Sequence, residues 1–226
     1  MLSDDHNNDE YKGWQSVIDA SDILKNDPKV RFISRIVSSV NVSAECRESV
    51  RNTLQSFEGL EDWAFQMLNS WGDFPPKGVM EGTITDFGDY DQCLSIEPNL
   101  SIGRSQYCLV DLEVPMPKPL VSENINYFDI IDVLPKSVNK SSNNIFVKLS
   151  RDASYFYFFF LRTGICTPDK CTKHDIKLMV HKSFLNTGLK LRNISCEVKT
   201  PNKLNWVQIL AINSFGSLFY SSIPFY

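Results

Sequence analysis

The feature that most constrains this chain is its cysteines. Cys46, Cys93, Cys108, Cys166, Cys171 and Cys196 are even in number and spread along the middle of the 226 residues, without paired CxxC knuckles. Such a pattern has three readings. A zinc site needs about four thiolate or imidazole ligands at close spacing; the nearest set is Cys166, Cys171, His174 and Cys196, which strands the other cysteines. Unpaired core cysteines are a second reading. A disulfide framework, formed in an oxidising compartment, is the favoured third.

Composition narrows the class. With 42% hydrophobic and 12% aromatic residues the chain can bury a substantial core, which excludes wholesale disorder. The net charge of −4 and the pI near 5.4 argue against nucleic acid, whose ligands usually present a basic face. No polybasic run marks a membrane patch. N-x-S/T sequons begin at Asn41, Asn99, Asn139 and Asn193, each a candidate glycosylation site. Asn139 lies in KSVNKSSNN, which reads as an exposed polar loop.

The two ends pull in opposite directions. Residues 1–10, MLSDDHNNDE, contain neither a basic n-region nor an apolar h-region and do not read as a signal peptide. The sequence therefore implies either a start upstream or reduced cysteines. Beyond Lys203 the chain is uncharged to Tyr226, a length that could cross a bilayer, although Asn205, Gln208, Asn213 and Pro224 make a poor spanning helix. Leu204–Ile212 reads either as the start of a membrane helix or as a polar-aromatic strand or hairpin.

Between these ends the expected order is helices first and strands second. Residues 1–12 are expected to be a disordered leader, and 13–42 an N-terminal extension with short helices around Pro28. Apolar residues then recur every three or four positions at Cys46, Val50, Leu54, Phe57, Leu60, Ala64, Met67 and Trp71, one buried helical face over 43–71 with a break at Gly59. Met67 and Trp71 on that stripe read as core. From Asp73 onwards Gly and Pro punctuate short β-like runs, VMEGTITD, CLSI and QYCLVDLEV, and PMPKP at 115–119 is a loop. IFVKL at 145–149 and SYFYFFFLR at 154–162 read as strands. Thr172 and Asp175 form a capping box that opens a helix with Ile176, Met179, Val180 and Phe184 inward, ending near Gly188. LRNISCEVK reads as the last strand. The fold class is thus α+β: N-terminal helices on a small, mostly antiparallel, disulfide-stabilised sheet.

Little in the chain suggests catalysis. His6 lies in the leader, and His174 and His181 share a helix face at a spacing better suited to solvent than to a metal pair. There is no GxSxG, P-loop or GxGxxG motif. Asp86, Asp89 and Asp91 lack the ligand order of a calcium loop and read as a capped turn before Cys93. No cofactor is expected. Cys93 and Cys108, on apparently adjacent strands, enclose 14 residues; a bridge there would contribute about 3 kcal/mol by loop closure. Cys166 and Cys171 would then pair with Cys46 and Cys196.

Several segments together resemble one family. WAFQML at 63–68, PPKGVMEG at 75–82, DFGDYDQCLSI at 86–96, QYCLV at 106–110 and LRTGICTPDKC at 161–171 are similar to the extracellular N-terminal domain of the nose-resistant-to-fluoxetine (NRF) proteins, multipass membrane proteins of invertebrates. The likeness covers about 43–200, although Asn69-Ser70 stands where the family usually has Asp and a small residue. The resemblance implies an extracellular or lumenal domain that precedes transmembrane helices of an acyltransferase-like type, with the first helix beginning in the uncharged tail at 204–226. It implies a role in binding, uptake or transport of lipids or hydrophobic small molecules. Tyr90, Tyr107 and Phe156–Phe160 are candidate lining residues of an apolar pocket, with core packing the stronger reading. The alternative is an accessory fragment of an acyl-transferring membrane enzyme whose catalytic part lies elsewhere. The partners expected are a membrane, through the following region, and a lipid or hydrophobic ligand, but no nucleic acid.

Overall fold

A computed structural model describes residues 26–97, 102–116 and 153–200, with Lys12, Gln15, Val147 and Ser150 besides. Residues 1–11 of the expected leader, the uncharged tail and the sequons at Asn99 and Asn139 lie outside the described residues, and Lys12 is helical rather than disordered.

Among the elements described in full, three helices come first. Helix α1 (Pro28–Ser39) starts with proline in its first turn, where a missing N–H costs nothing, and Asp27 Oδ1 accepts from the Lys29 and Val30 amides at 2.7 and 3.2 Å. Its buried residues, Val30, Ile33, Ile36 and Val37, form one stripe. No basic residue stands in its last turn; Arg47 of the next helix instead donates to the carbonyls of Val37 and Val40. Helices α2 (Ala44–Glu58) and α3 (Asp62–Asn69) divide the expected 43–71 stripe at Gly59, as the sequence suggests.

The sheet has the order β1-β3-β2-β4, with β1 at Thr85–Asp86, β2 at Ser105–Glu113, β3 at Leu161–Pro168 and β4 at Lys190–Val198. Only β1 and β3 run parallel. Strand β2 is central and buried along most of its length, so alternate side chains serve two cores. Cys108, Val110 and Leu112 join Leu161 and the residues of α1, α2 and α6 (Lys173–Phe184) in the larger core. Tyr107 and Cys166 join Met67, Cys93, Ile96 and Ile102 in the smaller one on the other face.

The α+β class stands, but four further local expectations fail. CLSI is not a strand: Asp89 accepts from the Gln92 amide at 2.8 Å and caps helix α4 (Tyr90–Ser95), which carries Cys93. This is the capped turn expected before Cys93, prolonged by one turn. VMEG is a 3-10 turn (Val79–Glu81) between two left-handed glycines, and only Thr85–Asp86 of that run is extended. The aromatic run at 154–162 is mostly helix, α5 (Ala153–Phe158), and the strand begins at Leu161. An apolar run without a period looks the same for a buried strand and a buried helix. Val147 is also helical rather than extended; the rest of 145–149 lies outside the described residues.

Two motif glycines are sites of close approach. Gly88 has φ +61°, and a Cβ there would lie 2.2 Å from the Ser70 carbonyl oxygen. At Gly164 a Cβ would lie 2.1 Å from the Phe87 carbonyl oxygen and 2.2 Å from Tyr107 Oη, which itself donates to that carbonyl at 2.7 Å. Gly164→Ala must therefore push a backbone segment off β3. We expect it to lower stability by about 3 kcal/mol, at the upper end of overpacking costs. Urea unfolding checks this, and a loss below about 1 kcal/mol would mean that the segment yields easily.

Candidate functional site: an apolar cavity under the first helix

The six cysteines form three bridges: Cys46–Cys171, Cys93–Cys166 and Cys108–Cys196, with no free thiol. The framework is as expected; the pairing is largely not. Cys93 and Cys108 are not joined, because Cys93 sits on a helix and faces β3 in the smaller core. Cys108 instead meets Cys196 directly across the β2–β4 register. Of Cys166 and Cys171, only Cys171 reaches one of the partners expected, Cys46. The alternative zinc set is dispersed, its three cysteines belonging to three different bridges. His174 and His181 are exposed on α6, in keeping with solvated histidines.

The motifs that carry the family resemblance are thus largely scaffold. Tyr90 packs edge-to-face on Tyr107 at 4.9 Å and donates to Glu197 at 2.9 Å. Arg104 pairs with Asp169 at 3.0 Å, closing the turn before Cys171. Asp175 accepts hydrogen bonds from the amide and hydroxyl of Ser43 at 2.8 and 3.0 Å, and from those of Thr172 at 3.0 and 2.7 Å. One carboxylate thereby ties the N-cap residues of α2 and α6 together beside the Cys46–Cys171 bridge. Burial pushes its pKa up, but these hydrogen bonds outweigh that and hold it below the ordinary carboxylate value.

The functional candidate lies on the helical face of the sheet. A cavity of about 290 Å³ opens between α1, the α2–α3 pair, β3 and α6. From α1 come Phe32, Ile33, Ile36 and Val37; from α2, Val50, Thr53 and Leu54; from α3, Met67 and Leu68. The sheet contributes Val110, Thr163 and Ile165, and α6 closes the far side with Ile176, Met179 and Val180. Phe74 and Phe184 meet edge-to-face at 4.7 Å on its wall. Trp71 also lines it, its indole Nε1 donating to the Cys166 carbonyl at 2.6 Å.

The few polar groups are mostly engaged. The hydroxyls of Thr53 and Ser183 each donate to a carbonyl of their own helix, both at 2.9 Å. Thr163 Oγ1 is buried and has no hydrogen-bond partner among the described residues. Charge is confined to the rim. Asp73 accepts from Lys77 at 2.6 Å, and this hydrogen bond outweighs the opposing effect of burial and, helped by the charges of Lys77 and Lys29, holds its carboxyl below the ordinary range. Lys29 is exposed and its Nζ donates weakly to the Leu68 carbonyl at 3.3 Å, 5.9 Å from the Trp71 ring centre.

This cavity is not the one expected from the aromatic residues. Tyr107 and Phe156 are core, Tyr90 braces the smaller core, and none of Tyr90, Tyr107 or Phe156–Phe160 lines the cavity. Met67 is core, as expected, and it also forms part of the cavity wall. The helical segment after Pro28 is as expected, but its place over the cavity was not read from the sequence. Its stripe was visible, but a stripe does not say that one helix stands off from the sheet.

The family model of the nose resistant-to-fluoxetine protein, N-terminal domain, matches residues 46–180. The chain belongs to this family. The nose resistant to fluoxetine protein 6 of Caenorhabditis elegans is 27% identical to the chain over 125 residues. That match covers 52% of this chain but only 14% of the relative, so the NRF chain spans a small part of that protein's length. No solved structure matches it. Helix α1, which roofs the cavity, and β4 with Cys196 lie outside the matched residues. Among the described residues no helix is long and apolar enough to cross a membrane, and no group of three or more His, Cys, Asp or Glu could hold a metal.

Proposed function

We propose that this NRF domain is a non-catalytic extracellular or lumenal module of a membrane acyltransferase-like protein, and that it holds a lipid or hydrophobic small molecule in the cavity under α1. The cavity carries the reading: about 290 Å³ of space walled by aliphatic and aromatic side chains and closed by a helix at the edge of the fold. The three bridges support the compartment, since disulfides persist in oxidising surroundings. Asn41 and Asn193 are both exposed, which suits sugars there, with Asn99 and Asn139 as further acceptors in the same reading. Membrane attachment through residues after Lys203 completes it, with a folded unit that takes in α1 as well as 43–200.

The physics of an apolar pocket predicts how affinity depends on chain length. Each methylene removed from water contributes up to about 0.8 kcal/mol, close to fourfold in affinity. A methylene occupies about as much space as a water molecule, roughly 30 Å³, so the cavity is full at about ten carbons. Displacement of an environment-sensitive apolar dye from the full chain should therefore strengthen steeply up to about that length and then level off. Val50→Phe, which fills the cavity from α2, should abolish the displacement. No displacement by any chain length, or equal displacement from Val50→Phe, would remove the proposal.

A further inference from the structure

We infer that the cavity selects single-chain amphiphiles with an anionic head, with the tail under α1 and the head on Lys29 at the rim. This rests on the ligand-binding reading and deepens it. Two rim charges border the opening, and they are not equivalent. Asp73 is already neutralised by Lys77 at 2.6 Å. Lys29 has no carboxylate within ion-pair distance among the described residues, and its weak bond to the Leu68 carbonyl leaves ammonium protons to spare. The uncommitted charge at the rim is therefore positive.

The geometry fits such a head. Lys29 is the second residue of α1 and its Nζ reaches across to the Leu68 carbonyl near the end of α3, while the first α1 amides are already taken by the Asp27 carboxylate, so the ammonium itself is the anion's partner. Pro28 and the Asp27 cap hold this end of α1 in place, and Phe32, one turn on, is 46% exposed beside the opening. Phe32 and Trp71 thus flank the route from the charged rim to the aliphatic interior. Deeper in, among the described residues, the buried hydroxyl of Thr163 is uncommitted; it can serve a neutral atom but cannot compensate a charge. A charged head is consequently kept at the rim, where Lys29 decides its sign.

Three probes of equal tail length separate the possibilities: dodecanoate, dodecanol and dodecyltrimethylammonium, each titrated into the full chain below its aggregation limit at low ionic strength. Dodecanoate is expected to bind about three- to tenfold more tightly than dodecanol, and the cation more weakly than either, as suits one partly solvated ion pair. Lys29→Gln should remove the preference for dodecanoate while leaving dodecanol unchanged. Asp73→Asn, which deletes the neighbouring negative charge and frees Lys77, should strengthen dodecanoate further. Equal binding of all three probes, or preference for the cation, would overturn the anion inference and leave the cavity reading standing. Failure of all three to bind would overturn both. Because Lys29 and Asp73 lie at the surface, circular dichroism of both variants should match that of the parent.

Discussion

Removing the Cys46–Cys171 bridge, as Cys46→Ala with Cys171→Ala, is expected to lower stability by up to about 5 kcal/mol. The cysteines are 125 positions apart, so the bridge closes a long loop in the unfolded chain, and the chain-entropy account gives that figure for a loop of this length. Both residues are essentially inaccessible, at 0% and 1% exposure, so their loss also opens the larger core between α2 and α6. The Cys93–Cys166 bridge spans 73 positions and is nested inside Cys46–Cys171; its loss leaves the longer loop closed, so its removal should cost about half a kcal/mol less on the entropy account alone. Urea unfolding of the two double variants beside the parent measures both the size and the order. A loss below about 1 kcal/mol for Cys46–Cys171 would show that the Asp175 cluster holds α2 to α6 without the bridge.

Asp175→Asn is expected to cost roughly 3 kcal/mol, close to the effect of breaking a buried charged network. The amide keeps the shape, but it cannot accept all four hydrogen bonds from Ser43 and Thr172, and it no longer places a negative charge at the N-termini of α2 and α6. The same residue sets an acid limit. Its pKa is lower in the folded chain than its ordinary value of 3.8, so its contribution is complete above that value. The contribution is then lost as the pH falls from 3.8 through the folded pKa. Stability measured between neutral pH and pH of about 2.5 should fall more steeply for the parent than for Asp175→Asn. Parallel curves would show that Asp175 is not the titrating group responsible.

Asp175 also illustrates what was legible in the sequence. The capping box with Thr172 is local, three residues apart, and could be read directly. The bond to Ser43 joins residues 132 apart and could not. The helical stripe with its break at Gly59, strands β2 and β4, and the inward face of α6 were likewise readable, because each follows from a short-range period or cap. The helix that carries Cys93 was missed because Asp89 was read as ending a turn, when its carboxylate instead nucleates one more turn. The aromatic run before Leu161 was missed because uniform hydrophobicity carries no period. Tyr90 and Tyr107 were placed in a pocket for their chemistry alone; their actual roles depend on the crossing of α4 over the sheet.

The even cysteine count, the capping box, the helical periodicity and the motifs DFGDYDQCLSI and LRTGICTPDKC determined, without coordinates, a disulfide-held α+β domain of the NRF type. These signals are local, since caps and periods are written within a turn or two of the backbone. Which cysteines meet, and where space is left, were decided only by the tertiary structure. Pairing depends on which strands lie side by side, and β2 bonds to both β3 and β4 across long stretches of chain. The cavity depends on how far α1 stands from the sheet, a distance set by the contacts of α1 with α2 and α6 together and not by any one segment.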